Sequence, residues 1–172
     1  RNVRRTKDRP LAKGSVKISQ AICLLFAMLL ASLLSVFSLP SGSRTLCIGL
    51  AILALPSILI YPSAKRWLIY PQAMLAICWG FAILIPWAAS QGDLNGGWPL
   101  IGSWIATLAW TFGFDTVYAM ADRKDDSLLK LHSSALNLGP NVVKVVSISY
   151  FIACVLLASA ALSAGINWTF WP

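Results

Sequence analysis

Apolar residues run through this chain in long, nearly uninterrupted stretches separated by short polar segments. Five stretches approach a membrane-spanning length, at about 20 to 39, 45 to 62, 72 to 90, 98 to 121 and 142 to 164. Each is long enough to cross a hydrocarbon layer about 30 Å thick as an α-helix. Backbone N–H and C=O groups find no water in lipid, so such spans are helices unless they close into a barrel, and the strict alternation of barrel strands is absent. The pattern predicts an all-α fold, a polytopic bundle of about five transmembrane helices in a lipid bilayer.

The segments between the stretches carry turn chemistry. Pro10 and Gly14 are expected to break any helix in the leading polar loop, with Ser19 as N-cap of the first span. Leu39-Pro40-Ser41-Gly42-Ser43, Gln91 to Gly97 and Asn137-Leu138-Gly139-Pro140 read as turns. Pro56 is expected to kink the second span. Tyr61 and Trp67 at one end, and Trp168 and Trp171 at the other, suit membrane interfaces.

Composition agrees with a membrane protein: 58% of the 172 residues are hydrophobic and 12% are charged, against about 25% charged in soluble domains. A net charge of +8 raises nucleic-acid binding as an alternative. The charges fall on alternate loops instead. Arg1, Arg4, Arg5, Lys7, Arg9, Lys13 and Lys17 precede the first span, Lys65 and Arg66 follow the second, and Arg123, Lys124 and Lys130 follow the fourth. With Lys144, that side holds thirteen of the fourteen basic residues, and Arg44 alone lies opposite. The positive-inside rule makes the basic side cytoplasmic, so the charge reads as topology rather than as a nucleic-acid surface. Cys23, Cys47, Cys78 and Cys154 lie singly inside apolar spans and read as small packing residues.

All six acidic residues are aspartates, and Asp115, Asp122, Asp125 and Asp126 lie close together. If the fourth span continues as a helix, Asp115, Tyr118, Asp122 and Asp126 share one face. Like charges at that spacing repel, so folding gains nothing from them, whereas a bound cation removes the cost. Hard carboxylate oxygens suit Mg²⁺, which takes one or two protein carboxylates together with phosphate oxygens. A metal diphosphate is the expected ligand. The bland alternative is a solvated loop at Asp122 to Asp126, balanced by Arg123 and Lys124. Asp115 resists that reading because it lies about two turns inside a span, where carboxylates are expensive and face polar cavities.

The run from Asp115 through Asp126, followed by Ser133-Ser134-Ala135 and Gly139, resembles the second aspartate motif of the UbiA prenyltransferases. Arg5-Thr6, Arg9-Pro10-Leu11 and Gly14 resemble the segment after their first aspartate motif. Tyr61-Pro62, Lys65-Arg66 and Pro71-Gln72 match a loop of the 4-hydroxybenzoate branch, with the cyanobacterial enzymes of plastoquinone synthesis the nearest in appearance. The resemblance covers essentially the whole chain and implies a single prenyltransferase domain over residues 1–172, made of the third to seventh of nine helices. The first aspartate motif would end just before Arg1 and two further spans would follow Pro172, so this stretch alone would supply half of the metal site and lack activity.

The resemblance further implies transfer of a polyprenyl group from an allylic polyprenyl diphosphate to 4-hydroxybenzoate, at the cytoplasmic side of a bacterial plasma membrane. It makes Asp122 and Asp126 the ligands of Mg²⁺. Asp115 is a candidate general base on position. Lys65 and Arg66 are candidates for the acceptor carboxylate or the diphosphate, with plain positive-inside charge as the alternative. Arg5, Arg9, Tyr118 and Asp125 complete the expected substrate surroundings. His132 departs from the pattern of related enzymes outside the cyanobacterial branch, which often carry lysine there. Trp79, Phe81, Trp87, Trp104, Trp110 and Phe112 are available to stabilise an allylic cation, or simply to pack. The alternatives are another acceptor within the superfamily, such as homogentisate, dihydroxynaphthoate or haem, and a transporter whose aspartates bind a permeating cation.

Overall fold

The structure, a computed structural model, describes residues 8–167. Arg5, Thr6, Trp168 and Trp171 lie outside the described residues. Within them the chain is helical: α1 (Pro10–Lys13), α2 (Ile18–Phe37), α3 (Ser41–Ile60), a 3₁₀ segment (Tyr61–Arg66), α4 (Pro71–Gln91), α5 (Gly97–Ala121), α6 (Arg123–Leu128), α7 (Ser134–Asn137), a 3₁₀ turn (Gly139–Asn141) and α8 (Val142–Ser163). The five long helices coincide closely with the five apolar stretches.

Four stretches are long and apolar enough to cross a membrane, namely Ile18–Phe37, Ser41–Arg66, Pro71–Gln91 and Gly139–Ser163. The fourth predicted span, α5, falls short of them in hydropathy, and packing gives the reason. It lies between α4 and α8, and its buried positions include Gly102, Ala106, Thr111, Gly113, Thr116 and Ala119. A helix touching protein on two sides needs small residues for close approach more than a greasy circumference. The bundle follows the same rule throughout: alanine dominates the buried apolar positions, while most large apolar side chains of α2 and α3 point outward. Association between such helices rests on backbone proximity and van der Waals contact, because lipid is as apolar as leucine.

Several local signals act differently from their sequence expectation. Pro10 and Gly14 bound a one-turn helix instead of preventing one: proline starts it, and Gly14 ends it at φ 84°. The cap of α2 is Lys17, not Ser19; the Gln20 amide oxygen accepts the Lys17 N–H at 2.9 Å. The Pro40 turn is shorter than expected, since α3 already begins at Ser41. Pro56 sits inside α3 without ending it, as does Pro86 inside α4. Cys47 is buried as expected, whereas Cys23 and Cys154 are exposed on the outer surface.

Two contacts position the functional end. Ala119, Ala135 and Val142 form a buried cluster joining the end of α5, α7 and the start of α8. The 3₁₀ segment after α3 packs against α4. The segments 61–72 and 122–141 are thereby held together at one end of the bundle.

Candidate active site

Asp122 is the joint between two helices, so the expected single continuous helix is divided. α5 ends at Ala121, Asp122 takes φ −91° and ψ 0°, and α6 reopens at Arg123. The Asp126 N–H still donates to the Asp122 carbonyl at 2.8 Å. The aspartates therefore stay one turn apart while the chain bends.

Burial separates these residues from a solvated loop. Asp122 is 6% exposed and Asp126 is 1% exposed. Lys65 Nζ donates to both carboxylate oxygens of Asp126, at 2.9 and 2.8 Å, from a side chain 36% exposed. A carboxylate this deep is tolerable only when paired and hydrogen-bonded. Arg123, expected to balance the aspartates, instead spans the loop: its guanidinium donates to the carbonyls of Ala135 and Gly139.

Asp115 is half-buried in α5. Tyr118 is exposed, its ring tilted against Phe114 with centroids 4.8 Å apart. Asp125 is half-buried on α6, and Arg66 is exposed beside Lys65. Arg9 lies on a surface groove formed by its own segment and the start of α2, and Arg5 falls outside the described residues. The His132 backbone N–H donates to the Lys65 carbonyl at 2.8 Å, a bond that lysine at this position would make equally well.

Three polar side chains whose pairing the sequence does not show knit the segments together. Gln72 Oε1 accepts both the Ser134 N–H at 2.8 Å and the Ser134 hydroxyl at 2.7 Å. Asn137 Nδ2 donates to the Ile69 carbonyl at 2.7 Å and to that of Ser133 at 2.9 Å. The available signal was a glutamine at the head of an apolar span, a costly place for an amide without a partner.

Among the described residues, no group of three or more His, Cys, Asp or Glu side chains gathers as a metal cage. Two buried carboxylates one turn apart nevertheless fit a hard cation that shares its shell with phosphate oxygens and water. The Lys65 ammonium supplies one positive charge to this pair, on Asp126. Further along the bundle, an apolar cavity of about 430 Å³ opens between α4, α5 and α8, lined by Trp79, Trp110 and Phe114 among others.

The fold and site define a helical protein with membrane-spanning helices, a buried carboxylate–ammonium pair at one end of the bundle and an apolar cavity between α4, α5 and α8. The chain belongs to the UbiA prenyltransferase family, whose model matches residues 1–172. It is 42% identical over 170 residues to 4-hydroxybenzoate solanesyltransferase of Synechocystis sp., covering 98% of this chain and 56% of that protein. It is 34% identical to the mitochondrial 4-hydroxybenzoate polyprenyltransferase of Schizosaccharomyces pombe, covering 95% and 45%. To 4-hydroxybenzoate octaprenyltransferase of Cupriavidus pinatubonensis it is 35% identical, covering 99% and 58%. The chain thus spans about half the length of the curated relatives it matches. No solved structure matches it at comparable significance.

Proposed function

We propose that this protein transfers a polyprenyl group from an allylic polyprenyl diphosphate to the ring of 4-hydroxybenzoate, in quinone synthesis of the ubiquinone or plastoquinone type. The observation that carries the reading is the buried Asp126 paired with Lys65 beside Asp122, which joins the two segments matching the family's motifs. The names of the relatives support the acceptor.

Asp122 and Asp126 would hold Mg²⁺, which when bound supplies neutralisation of the diphosphate leaving group. Lys65 and Arg66 add fixed positive charge on the same side, available to the diphosphate or the acceptor carboxylate. The allylic C–O bond breaks with its electron pair departing on the diphosphate, and the ring carbon ortho to the phenol forms the new C–C bond. The ring proton then leaves to a base, for which Asp115, half-buried in α5, is the candidate. The cavity beside Trp79, Trp110 and Phe114 takes part of the apolar substrate, and its aromatic faces favour a nearby cation. The enzyme works in a bacterial plasma membrane, with its basic loops on the cytoplasmic side.

The test is prenyl transfer in membranes carrying the natural full-length protein, with an allylic polyprenyl diphosphate, labelled 4-hydroxybenzoate, and Mg²⁺ or EDTA. Labelled prenyl product with Mg²⁺ and none with EDTA is expected. Product only with a different aromatic acceptor overturns the substrate; no product with any acceptor overturns the activity.

A further inference from the structure

Gln72 is 1% exposed and Ser134 is fully buried, and the residues are 62 positions apart. One glutamine oxygen serves two donors, a backbone N–H and a hydroxyl, where neither can exchange partners with bulk water. Removing such an acceptor strands both donors, so the link specifies one arrangement of the two segments and penalises others.

That arrangement bears on the aspartates. From Asp126 to Ser134 the chain is held by consecutive turns: Leu129 N–H to the Asp125 carbonyl, Lys130 N–H to that of Ser127, and Leu131 N–H to that of Asp126. Lys130 takes φ 52° within this return. From Lys65 to Gln72 the chain is similarly turned, with the Trp67 and Leu68 N–H groups on the Ala64 carbonyl and the Ala73 N–H on that of Tyr70. Lys65–Asp126 and Gln72–Ser134 therefore close a ring between the same two segments, with the His132 to Lys65 backbone bond inside it. Displacing Ser134 moves the carboxylate that Lys65 holds.

Resting on the proposed function, we infer that Gln72 is a positioning residue of the prenyl-transfer site, fixing Asp126 and Lys65 in register through its double hydrogen bond to Ser134. It touches no substrate; it sets where the carboxylate and the ammonium stand. Gln72→Leu keeps the bulk and removes the acceptor, Gln72→Glu keeps an oxygen in the same place, and Ser134→Ala removes the hydroxyl donor while leaving the backbone N–H.

The variants are compared in the full-length protein in lipid nanodiscs, by thermal unfolding, by kcat and KM per folded molecule, and by Mn²⁺ affinity from electron paramagnetic resonance without substrate. Misplacement by a fraction of an ångström is expected to lower kcat about tenfold or more in Gln72→Leu, and to weaken Mn²⁺ binding about as much, with little change in the acceptor's KM. Gln72→Glu is expected to restore most of both. Ser134→Ala falls between, and adding it to Gln72→Leu costs little more, because both act on one interaction. A kcat and Mn²⁺ affinity per folded molecule within about twofold of wild type in Gln72→Leu overturn the positioning role, even if the melting temperature falls. If Gln72→Leu does not accumulate, unchanged values in Ser134→Ala overturn it equally. A wild type that makes no prenyl product overturns the proposed function and this inference with it, whereas an active wild type with unaffected variants overturns the inference alone.

Discussion

Asp126 joins two demands that usually conflict. It is buried like a core residue, yet it keeps a charge-bearing group paired at both oxygens with Lys65. Replacing Lys65 with methionine strands that carboxylate, and a loss of about 1–3 kcal/mol is expected, read as a lower melting temperature in detergent. Asp126→Asn combined with Lys65→Met should cost less than the sum of the single changes, since the second change removes the stranded partner. Function moves differently. Asp122→Asn and Asp126→Asn are each expected to abolish Mg²⁺-dependent prenyl transfer while leaving membrane insertion intact, and normal turnover in both removes them from the metal site. Arg66 lies exposed beside Lys65, so Arg66→Ala should raise the acceptor's KM or lower turnover with little effect on stability. An unchanged rate returns Arg66 to a purely topological role.

Helices in this bundle meet through positions where a methyl group has no room. A Cβ on Gly80 would stand 2.7 Å from Trp104 Nε1 and 3.0 Å from Leu108 Cδ2, between α4 and α5. On Gly102 it would stand 3.1 Å from the Ala160 Cβ and 3.4 Å from the Leu156 carbonyl, between α5 and α8. Gly49 has nothing within 4 Å of such an atom. Gly102→Val is expected to destabilise the protein by about 1–3 kcal/mol, and Gly49→Ala to be near neutral, by thermal unfolding in one detergent. Equal effects would disprove the contrast. The long helices were legible because a membrane crossing writes its length into the sequence, and Asp122 and Asp126 were legible because clustered carboxylates have no cheap structural use. What each aspartate pairs with was not legible. Lys65 and Asp126 are 61 positions apart, and Gln72, named through the family resemblance, carries no sign of its partner Ser134, 62 positions on. Helical periodicity reports a residue's own face and says nothing of the partner brought there by two intervening crossings.

Across the whole molecule, attachment is graded. α5 is sandwiched between α4 and α8, α3 leans on α4, and α2 touches mainly α3 and has no buried residue. Substitutions such as Leu25→Ala in α2 should therefore leave thermal stability almost unchanged, while Ala153→Leu in α8, at a fully buried position, should lower it clearly. Orientation is testable in the same preparation. A single cysteine at Lys124 and another at Asn95, each in a background without the native cysteines, should react with a membrane-impermeant thiol reagent from opposite faces of sealed vesicles. Labelling from the same face would break the bundle's topology. The Lys65–Asp126 contact also has a history in time. During synthesis Lys65 reaches the membrane surface before α4, α5 and Asp126 have been made, because chains emerge N-terminus first. In that interval its charge has only one task, to hold the finished hairpin of α2 and α3 the right way round in the lipid. When α5 is threaded and Asp126 arrives, the same ammonium takes up its carboxylate partner, so under the proposed function the site forms only after the orientation that this charge favours has been set.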